Sequence, residues 1–417
     1  MEIPSEFVQN YQKSHYRILG KHLHSAIKPC HWLEQRLLTG RDNRNCYKGY
    51  FGIKSHLCIQ NTPSLPFCNQ SCVFCWRDIE HGTLGSDFLV TPDDPHSLVD
   101  EIIRHQLDIL ENHITLAKSL QNLECMRLIF NLMKDQQPRS YSEIGQKLHL
   151  STRQVEKAVK VLKNTQILRA SDDLKHVILH PTTKQKFQQG SSIEDIIKLS
   201  ITTEREIRQS YQEAHKPSHA AISLGGEPML YPFISEYVAE FRHRGFTTFI
   251  VTNGTRPDLI KKMDTLPTQL YVSMPAESLE EYVRICRPIS VKQWEKFLET
   301  LDLLSTLSCR TCIRLTVIQS LNMEKMEGFA RLIERANPNF IDVKGFTLEA
   351  SALLIGKRLQ KNVVERIFQP TFGELQKFAQ RLSEAGQFQI LEQVKQSRDI
   401  LLGCNWPKGK SLLIKNP

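Results

Sequence analysis

No stretch of the 417-residue sequence is apolar over anything near the ~18 residues needed to cross a bilayer. The opening residues, Met1-Glu2-Ile3-Pro4-Ser5-Glu6, have neither the basic stretch nor the apolar core of a secretory signal. These two absences predict a cytoplasmic protein that touches no membrane. Negative charge is also in short supply: 45 Asp and Glu against 54 Lys and Arg leave a formal charge of +9, which favours an anionic partner such as nucleic acid. The surplus is concentrated. Between Ala117 and Gly190, 13 Lys and Arg face 6 Asp and Glu, so this one segment holds +7 of the +9. A disulfide framework is disfavoured as well. Eleven cysteines is an odd count, and six of them (Cys30, Cys46, Cys58, Cys68, Cys72, Cys75) crowd one early segment of a chain expected in a reducing compartment. Metal ligation accounts for that crowding better.

At this length a catalytic body of roughly 250–300 residues plus a smaller unit is expected. After residue 215, short β-branched runs alternate with amphipathic helical stretches. Ala220–Leu224, Phe246–Val251, Gln269–Ser273, Cys312–Val317 and Phe340–Lys344 read as buried strands, and Val291–Ser308 and Met323–Ala336 as helices. One more strand before Cys68 gives about six parallel strands. The fold class is therefore α/β, a partial (β/α)6 barrel with its chemistry at the strand C-terminal ends.

The basic segment reads differently. Helical patterns cover Glu124–Lys134 and Ser142–Leu148, and Ser151-Thr152-Arg153-Gln154 is a capping box opening a third helix to about Lys163. Val155, Ala158, Val159 and Leu162 form its apolar stripe, with Arg153, Lys157, Lys160 and Lys163 off it. Ile167-Leu168-Arg169 and His176–Leu179, around the turn Ser171-Asp172-Asp173, make a two-stranded wing. The segment resembles a small winged helix-turn-helix domain. It interrupts the barrel after a first helix over Ser97–Ile109, dividing the chain into 1–116, an N-terminal cluster-binding segment with the first part of the barrel; 117–190, the insertion; and 191–417, the rest of the barrel and a C-terminal extension.

Cys68-Asn69-Gln70-Ser71-Cys72-Val73-Phe74-Cys75 places three thiols at x3 and x2 spacing on one loop. Three soft ligands suit a four-iron four-sulfur cubane with one open iron, whereas a structural zinc takes four closed ligands. A zinc knuckle with a distant fourth ligand is the alternative on spacing alone. Gly225-Gly226-Glu227 closes the second predicted strand, where backbone and carboxylate can receive an ammonium group. Together the two elements resemble the radical-SAM superfamily, whose barrel binds S-adenosyl-L-methionine on the open iron and its amino group at Gly-Gly-Glu. Asn253, in Val251-Thr252-Asn253-Gly254, and Ser273 end the next two strands, where further cofactor contacts fall.

A closer resemblance is to the 4-demethylwyosine synthase family of tRNA modification, archaeal type. It rests on Lys28-Pro29-Cys30-His31-Trp32-Leu33, Cys46-Tyr47-Lys48, Gly52–Cys58, Cys72-Val73-Phe74-Cys75-Trp76-Arg77, Ala221–Pro228, Arg244–Thr255 and Cys286-Arg287-Pro288. It covers nearly the whole chain except the insertion. The resemblance implies a second 4Fe-4S cluster on Cys30, Cys46 and Cys58, which would otherwise pass as small buried hydrophobes. It also implies a Schiff-base role for Lys48, with burial and metal charge lowering its pKa. The implied reaction joins N1-methylguanosine-37 of a tRNA, with phenylalanine tRNA the expected carrier, to pyruvate. A 5′-deoxyadenosyl radical takes hydrogen from the N1-methyl group. The resulting methylene adds to pyruvate held on Lys48, and carboxyl loss and ring closure give the tricyclic base. The implied enzyme is a carbon-carbon lyase with two 4Fe-4S clusters and S-adenosyl-L-methionine as cofactors.

Two departures stand out. The family commonly has an acidic residue after the strand-four serine, where this chain reads Ser273-Met274-Pro275-Ala276. Only 29 residues precede Cys30, leaving no room there for the flavodoxin-like domain of eukaryotic relatives, so an external ferredoxin- or flavodoxin-type donor is expected, acting on a monomer. Competing readings are a radical-SAM enzyme with an auxiliary relay cluster and another substrate, and an iron-sulfur winged-helix regulator. Cys46-Tyr47-Lys48 opposes the first, since a relay needs no lysine, and Gly225-Gly226-Glu227 opposes the second. Cys309-Arg310-Thr311-Cys312 reads as a helix exit into a strand, and Cys125 and Cys404 carry no signal.

Overall fold

The computed structural model describes residues 1–39, 46–79, 83–192, 195–196, 202–361 and 364–414. The β-branched runs pair side by side because each is apolar on both faces and needs cover from both. Cys58–Thr62 (β3), His219–Ile222 (β6), Thr247–Thr252 (β7), Gln269–Ser273 (β8), Arg310–Val317 (β9) and Phe340–Gly345 (β10) lie in that order, each parallel to the next. The sheet is wider than the sequence suggested. Arg17–Leu19 (β1) and Ser25–Ile27 (β2) add antiparallel strands beside β3, and Gln389–Val394 (β11) and Asp399–Gly403 (β12) do so beside β10, making ten strands.

Helices cover the outer face. Residues Pro95–Asn112 follow β3 and start where Asp94 accepts the Ser97 N–H at 2.9 Å, with Pro95 in the first turn. Ile234–His243, Gln293–Leu304, Met326–Ala336 and Phe372–Gly386 pack beside it on the largest apolar cluster, which includes Ile222, Ile250, Leu270, Ile313 and Ile341. Met274 joins this cluster. One residue past Ser273, strand alternation turns its side chain to the outer core, so the unexpected Met274 does not face the site described below.

The inner face carries the alternate residues Phe249, Tyr271, Cys312, Phe340 and Leu401, and is closed by Tyr50, Phe51 and Ile53 from the N-terminal segment. Cys312 thus serves as a small core residue of β9, which agrees with the unremarkable reading of its motif.

Within 117–190, helices run over Leu116–Leu132, Tyr141–Leu148, Thr152–Asn164 and Pro181–Gln188, and Leu168–Ala170 (β4) pairs antiparallel with Val177–Leu179 (β5). Ser151 and Gln154 make the reciprocal capping bonds. Val155, Ala158, Val159 and Leu162 are fully buried against Met126, Ile129 and Phe130. This cluster also takes in Ile196 and Ile207, beyond residue 190. No described helix is long and apolar enough to cross a membrane.

Candidate active site

The loop after β3 is tied down along its length. The Cys68 N–H donates to the Gly85 carbonyl at 3.0 Å, Ser71 to Cys286 at 3.1 Å and Val73 to Ile285 at 2.9 Å. Asn69 Nδ2 donates to Thr255 Oγ1 at 2.7 Å, and Gln70 Nε2 to Tyr282 Oη at 2.5 Å. A buried Arg358 donates from Nη1 to the Val73 and Cys75 carbonyls at 3.2 and 2.7 Å. The three sulfurs are thereby presented from a rigid turn.

Burial pushes the Cys68 thiol up to about 12 and raises Cys75, while the Arg77 guanidinium opposes both shifts. Cys72 is raised first by a hydrogen bond with Cys286 and then by burial. Arg77 is itself only 3% exposed. Bare thiolates here would be costly with Arg77 shared among the three and Arg358 acting on Cys75, and iron ligation removes that cost. Among the described residues no three His, Cys, Asp or Glu side chains converge on a point that one metal ion could hold. In a cubane each thiolate binds its own iron, so the sulfurs need no common point. The donor set fits the cluster.

Gly225-Gly226-Glu227 is folded onto the residues just upstream of that loop. Thr62 Oγ1 donates to the Gly225 carbonyl at 2.6 Å, Ser64 Oγ to the Glu227 carbonyl at 2.7 Å, and the Glu227 N–H to the Phe67 carbonyl at 2.8 Å. Gly226 has φ +67°, and a Cβ there would sit 1.9 Å from the Ser64 carbonyl oxygen. Only glycine fits. The Glu227 carboxylate accepts from Thr252 Oγ1 at 2.6 Å, the Asn253 N–H at 2.8 Å and the Met229 N–H at 3.0 Å. Burial nevertheless pushes its carboxyl up to about 6. Asn253 Nδ2 donates to Asn69 Oδ1 at 2.7 Å, so Asn253 bridges Glu227 to the cysteine loop. Ser273 ends β8 half-buried, and no hydrogen bond joins its side chain to this network among the described residues.

The second set of cysteines gathers around Lys48. Cys46 precedes the short turn Tyr47–Phe51, Cys58 opens β3, and Cys30 immediately precedes the helix His31–Thr39. Burial raises Cys30 to about 12, with the charges of Cys58 and Cys46 adding and Lys48 opposing. Cys58 is raised to about 11 by burial, against the pull of Lys48. Lys48 is 6% exposed; its Nζ lies 3.4 Å from Tyr47 Oη and 5.9 Å from the centre of the Phe249 ring.

Burial works to lower the Lys48 pKa, while the Tyr47 phenol and the Cys58, Cys46 and Cys30 thiols act upward and outweigh it as long as the sulfurs carry no iron. Iron on those sulfurs would neutralise the opposing charge and leave the burial contribution.

Sequence reading missed several residues of the site. Arg314, on β9, stacks 4.1 Å from the Tyr47 ring and pairs with buried Asp342, which with Asp399 and Lys344 forms a charged cluster on the inner face. Arg77 and Cys286 stand in segments that carry the family resemblance, but the sequence alone assigns neither a role. Arg358 and Cys286 lie far from the loop in sequence, and only the fold brings them to it.

A barrel-like α/β body with a three-cysteine loop and a Gly-Gly-Glu turn on adjacent strands defines a radical-SAM enzyme. Residues 186–333 match the Radical SAM superfamily. The chain is 31% identical over 405 residues to the S-adenosyl-L-methionine-dependent tRNA 4-demethylwyosine synthase of Pyrococcus horikoshii, covering 96% of this chain and 89% of that one. With the enzyme of that name from Methanocaldococcus jannaschii the identity is 29%, covering 96% of each. A solved structure of TYW1 with a lysine-pyruvate adduct bound superposes with a TM-score of 0.64 at 26% identity, covering 99% of this chain and 100% of that one. The chain belongs to the tRNA 4-demethylwyosine synthase family. Membership carries with it a 4Fe-4S cluster and S-adenosyl-L-methionine.

Proposed function

We propose that this protein is a tRNA 4-demethylwyosine synthase, converting N1-methylguanosine-37 and pyruvate to the tricyclic imidazopurine base. The observation that carries the reading is Lys48, a buried amine among Cys30, Cys46 and Cys58. Cys68, Cys72 and Cys75 hold the radical cluster, which when bound supplies the electron that cleaves S-adenosyl-L-methionine. Gly225, Gly226 and Glu227 receive the methionine ammonium, with Asn253 fixing Glu227 against the loop and Ser273 lining the same rim. Cys30, Cys46 and Cys58 hold a second 4Fe-4S cluster beside the pyruvate site. Lys48 condenses with the pyruvate carbonyl, expelling water, and so fixes the acceptor carbon in place. Tyr47, pinned by Arg314, orients the amine. An external ferredoxin- or flavodoxin-type protein supplies electrons to a monomer, and residues 117–190 act as a winged-helix module set into the barrel.

The test is borohydride trapping with labelled pyruvate under anaerobic conditions, followed by nucleoside mass spectrometry of methylated tRNA. Label should appear on the peptide carrying Lys48, and the tricyclic base in the tRNA. Lys48→Arg should lose both while still cleaving S-adenosyl-L-methionine. Tricyclic base formed by Lys48→Arg at the wild-type rate would sink the imine assignment.

A further inference from the structure

The inserted module does not stand away from the catalytic body. Its first helix, Leu116–Leu132, packs on His31–Thr39 and on Glu204–Ala214 as well as on Thr152–Asn164. The shared core reaches Ile207. This docking fixes where the basic face of Thr152–Asn164 points. Arg153, Lys157 and Lys160, at i, i+4 and i+7, share one exposed face opposite the buried stripe.

The charges that face meets are on the catalytic body. Glu34 is raised by partial burial and pulled down by Lys157, Lys28, His15 and Lys160. His31 is lowered by burial and then by Lys160. Lys118 adds its charge to Lys157, and Lys28 projects over the Tyr16 ring at 4.6 Å. Glu34 and His31 belong to the helix that begins immediately after Cys30. The cations of the insert and Lys28 therefore flank the segment that carries one of the cysteines around Lys48.

Lys157, Lys28 and Lys160 act on Glu34, with Arg153 and Lys118 beside Lys157 and Glu349 acting at His31, so that five like charges meet two carboxylates and positive charge is left over. A polyanion with regularly spaced charges can satisfy it. Resting on the assignment of tRNA as substrate, we infer that Lys28, Lys118, Arg153, Lys157 and Lys160 form one strip that grips the tRNA phosphate backbone across the junction of insert and catalytic body, and that Glu34 limits the grip. A carboxylate inside such a strip repels phosphate and weakens product retention, which favours turnover where release is slow.

The experiment uses the full-length, iron-loaded protein and tRNA carrying N1-methylguanosine-37, with dissociation constants measured across a KCl series. The triple variant Arg153→Ala, Lys157→Ala, Lys160→Ala alters only exposed side chains. It should bind roughly tenfold or more weakly at low salt, with a log-log salt slope shallower by about 2–3, as expected for three lost phosphate contacts. Its S-adenosyl-L-methionine cleavage without tRNA should match wild type. Glu34→Gln should bind tRNA about two- to fivefold more tightly, since one repulsive charge is removed.

Wild-type affinity and slope in the triple variant, while wild type still converts tRNA, would overturn the strip, and duplex DNA in the same assay would then separate DNA binding from protein docking. Weaker binding by Glu34→Gln would show that Glu34 holds the cations inward, and would overturn it as well. If wild type fails to modify tRNA at all, the functional assignment itself fails, which is a separate result.

Discussion

Replacing Gly226 by alanine is expected to damage cofactor binding far more than replacing its neighbour Gly225. At Gly226 the added Cβ meets the Ser64 carbonyl oxygen at 1.9 Å and the Phe67 carbonyl oxygen at 2.9 Å, in a backbone of φ +67°. The left-handed conformation alone costs an L-residue about 1–2 kcal/mol. The overlap is with backbone, so no side chain can swing away, and overpacking of this kind adds about 1–3 kcal/mol. Gly225→Ala meets the Leu65 Cδ1 at 3.0 Å and the Arg77 Cδ at 3.7 Å, both side-chain atoms rather than backbone. With unfolding entropy near ~2.1 cal/mol/K per residue, a chain of this size loses roughly 1 °C per kcal/mol, so Gly226→Ala should melt about 2–5 °C lower.

The functional effect should be larger, because the turn must lift away from Ser64 and Phe67 and carries Glu227 with it. A displacement near 1 Å of a binding group costs on the order of a hundredfold. Equilibrium binding of S-adenosyl-L-methionine to the iron-loaded variants, with melting curves alongside, measures both. Equal affinity and melting in Gly225→Ala and Gly226→Ala would refute the argument that this turn is closed by contact with the strand-β3 loop.

Changing Cys68, Cys72 and Cys75 to Ala should halve an iron content of about eight per chain and abolish 5′-deoxyadenosine formation; full iron in that variant would show the radical cluster lies elsewhere. Glu227 titrates near 6, raised by burial, so it is a carboxylate above that pH and neutral below it. Affinity for S-adenosyl-L-methionine should therefore fall about tenfold per unit as pH drops below 6, while Glu227→Gln is weak and flat from pH 5 to 7. Arg314→Met should destabilise the fold by about 3–5 kcal/mol by stranding Asp342, and adding Asp342→Asn should restore most of it in a thermal melt; no recovery would mean that the Tyr47 stack matters more than the ion pair.

Five of the six parallel strands were legible as short apolar runs, most plainly the β-branched Thr247–Thr252 and Arg310–Val317, whereas the first, Cys58–Thr62, carries Gln60 and Asn61 and was placed only as a strand somewhere before Cys68. The flanking strands were not legible. Arg17–Leu19 and Ser25–Ile27 are three residues each, and Gln389–Val394 carries Gln389, Glu392 and Gln393 on a largely solvent-facing edge with no alternation to read. The cysteines and Lys48 were singled out through their neighbours in sequence. Arg77 and Arg358 were not, since arginine in a sequence looks solvated, and their burial at 3% and 5% follows only from tertiary packing.

The pairing of β3 with β6 joins Cys58–Asn61 to His219–Ile222 across more than 150 residues of intervening chain. Closing a loop costs conformational entropy only as the logarithm of its length, about 0.6 kcal/mol for each doubling. The 74 residues from 117 to 190 roughly double the connection, so their presence weighs little on the equilibrium. The kinetic consequence is different. The cysteine loop and the Gly-Gly-Glu turn meet only after this long excursion has been brought home, and condensation of the segment around Met126, Phe130 and Val159 before that pairing would shorten the free chain that must be searched. Assembly of the radical site would then depend on how early the chain between β3 and β6 becomes compact.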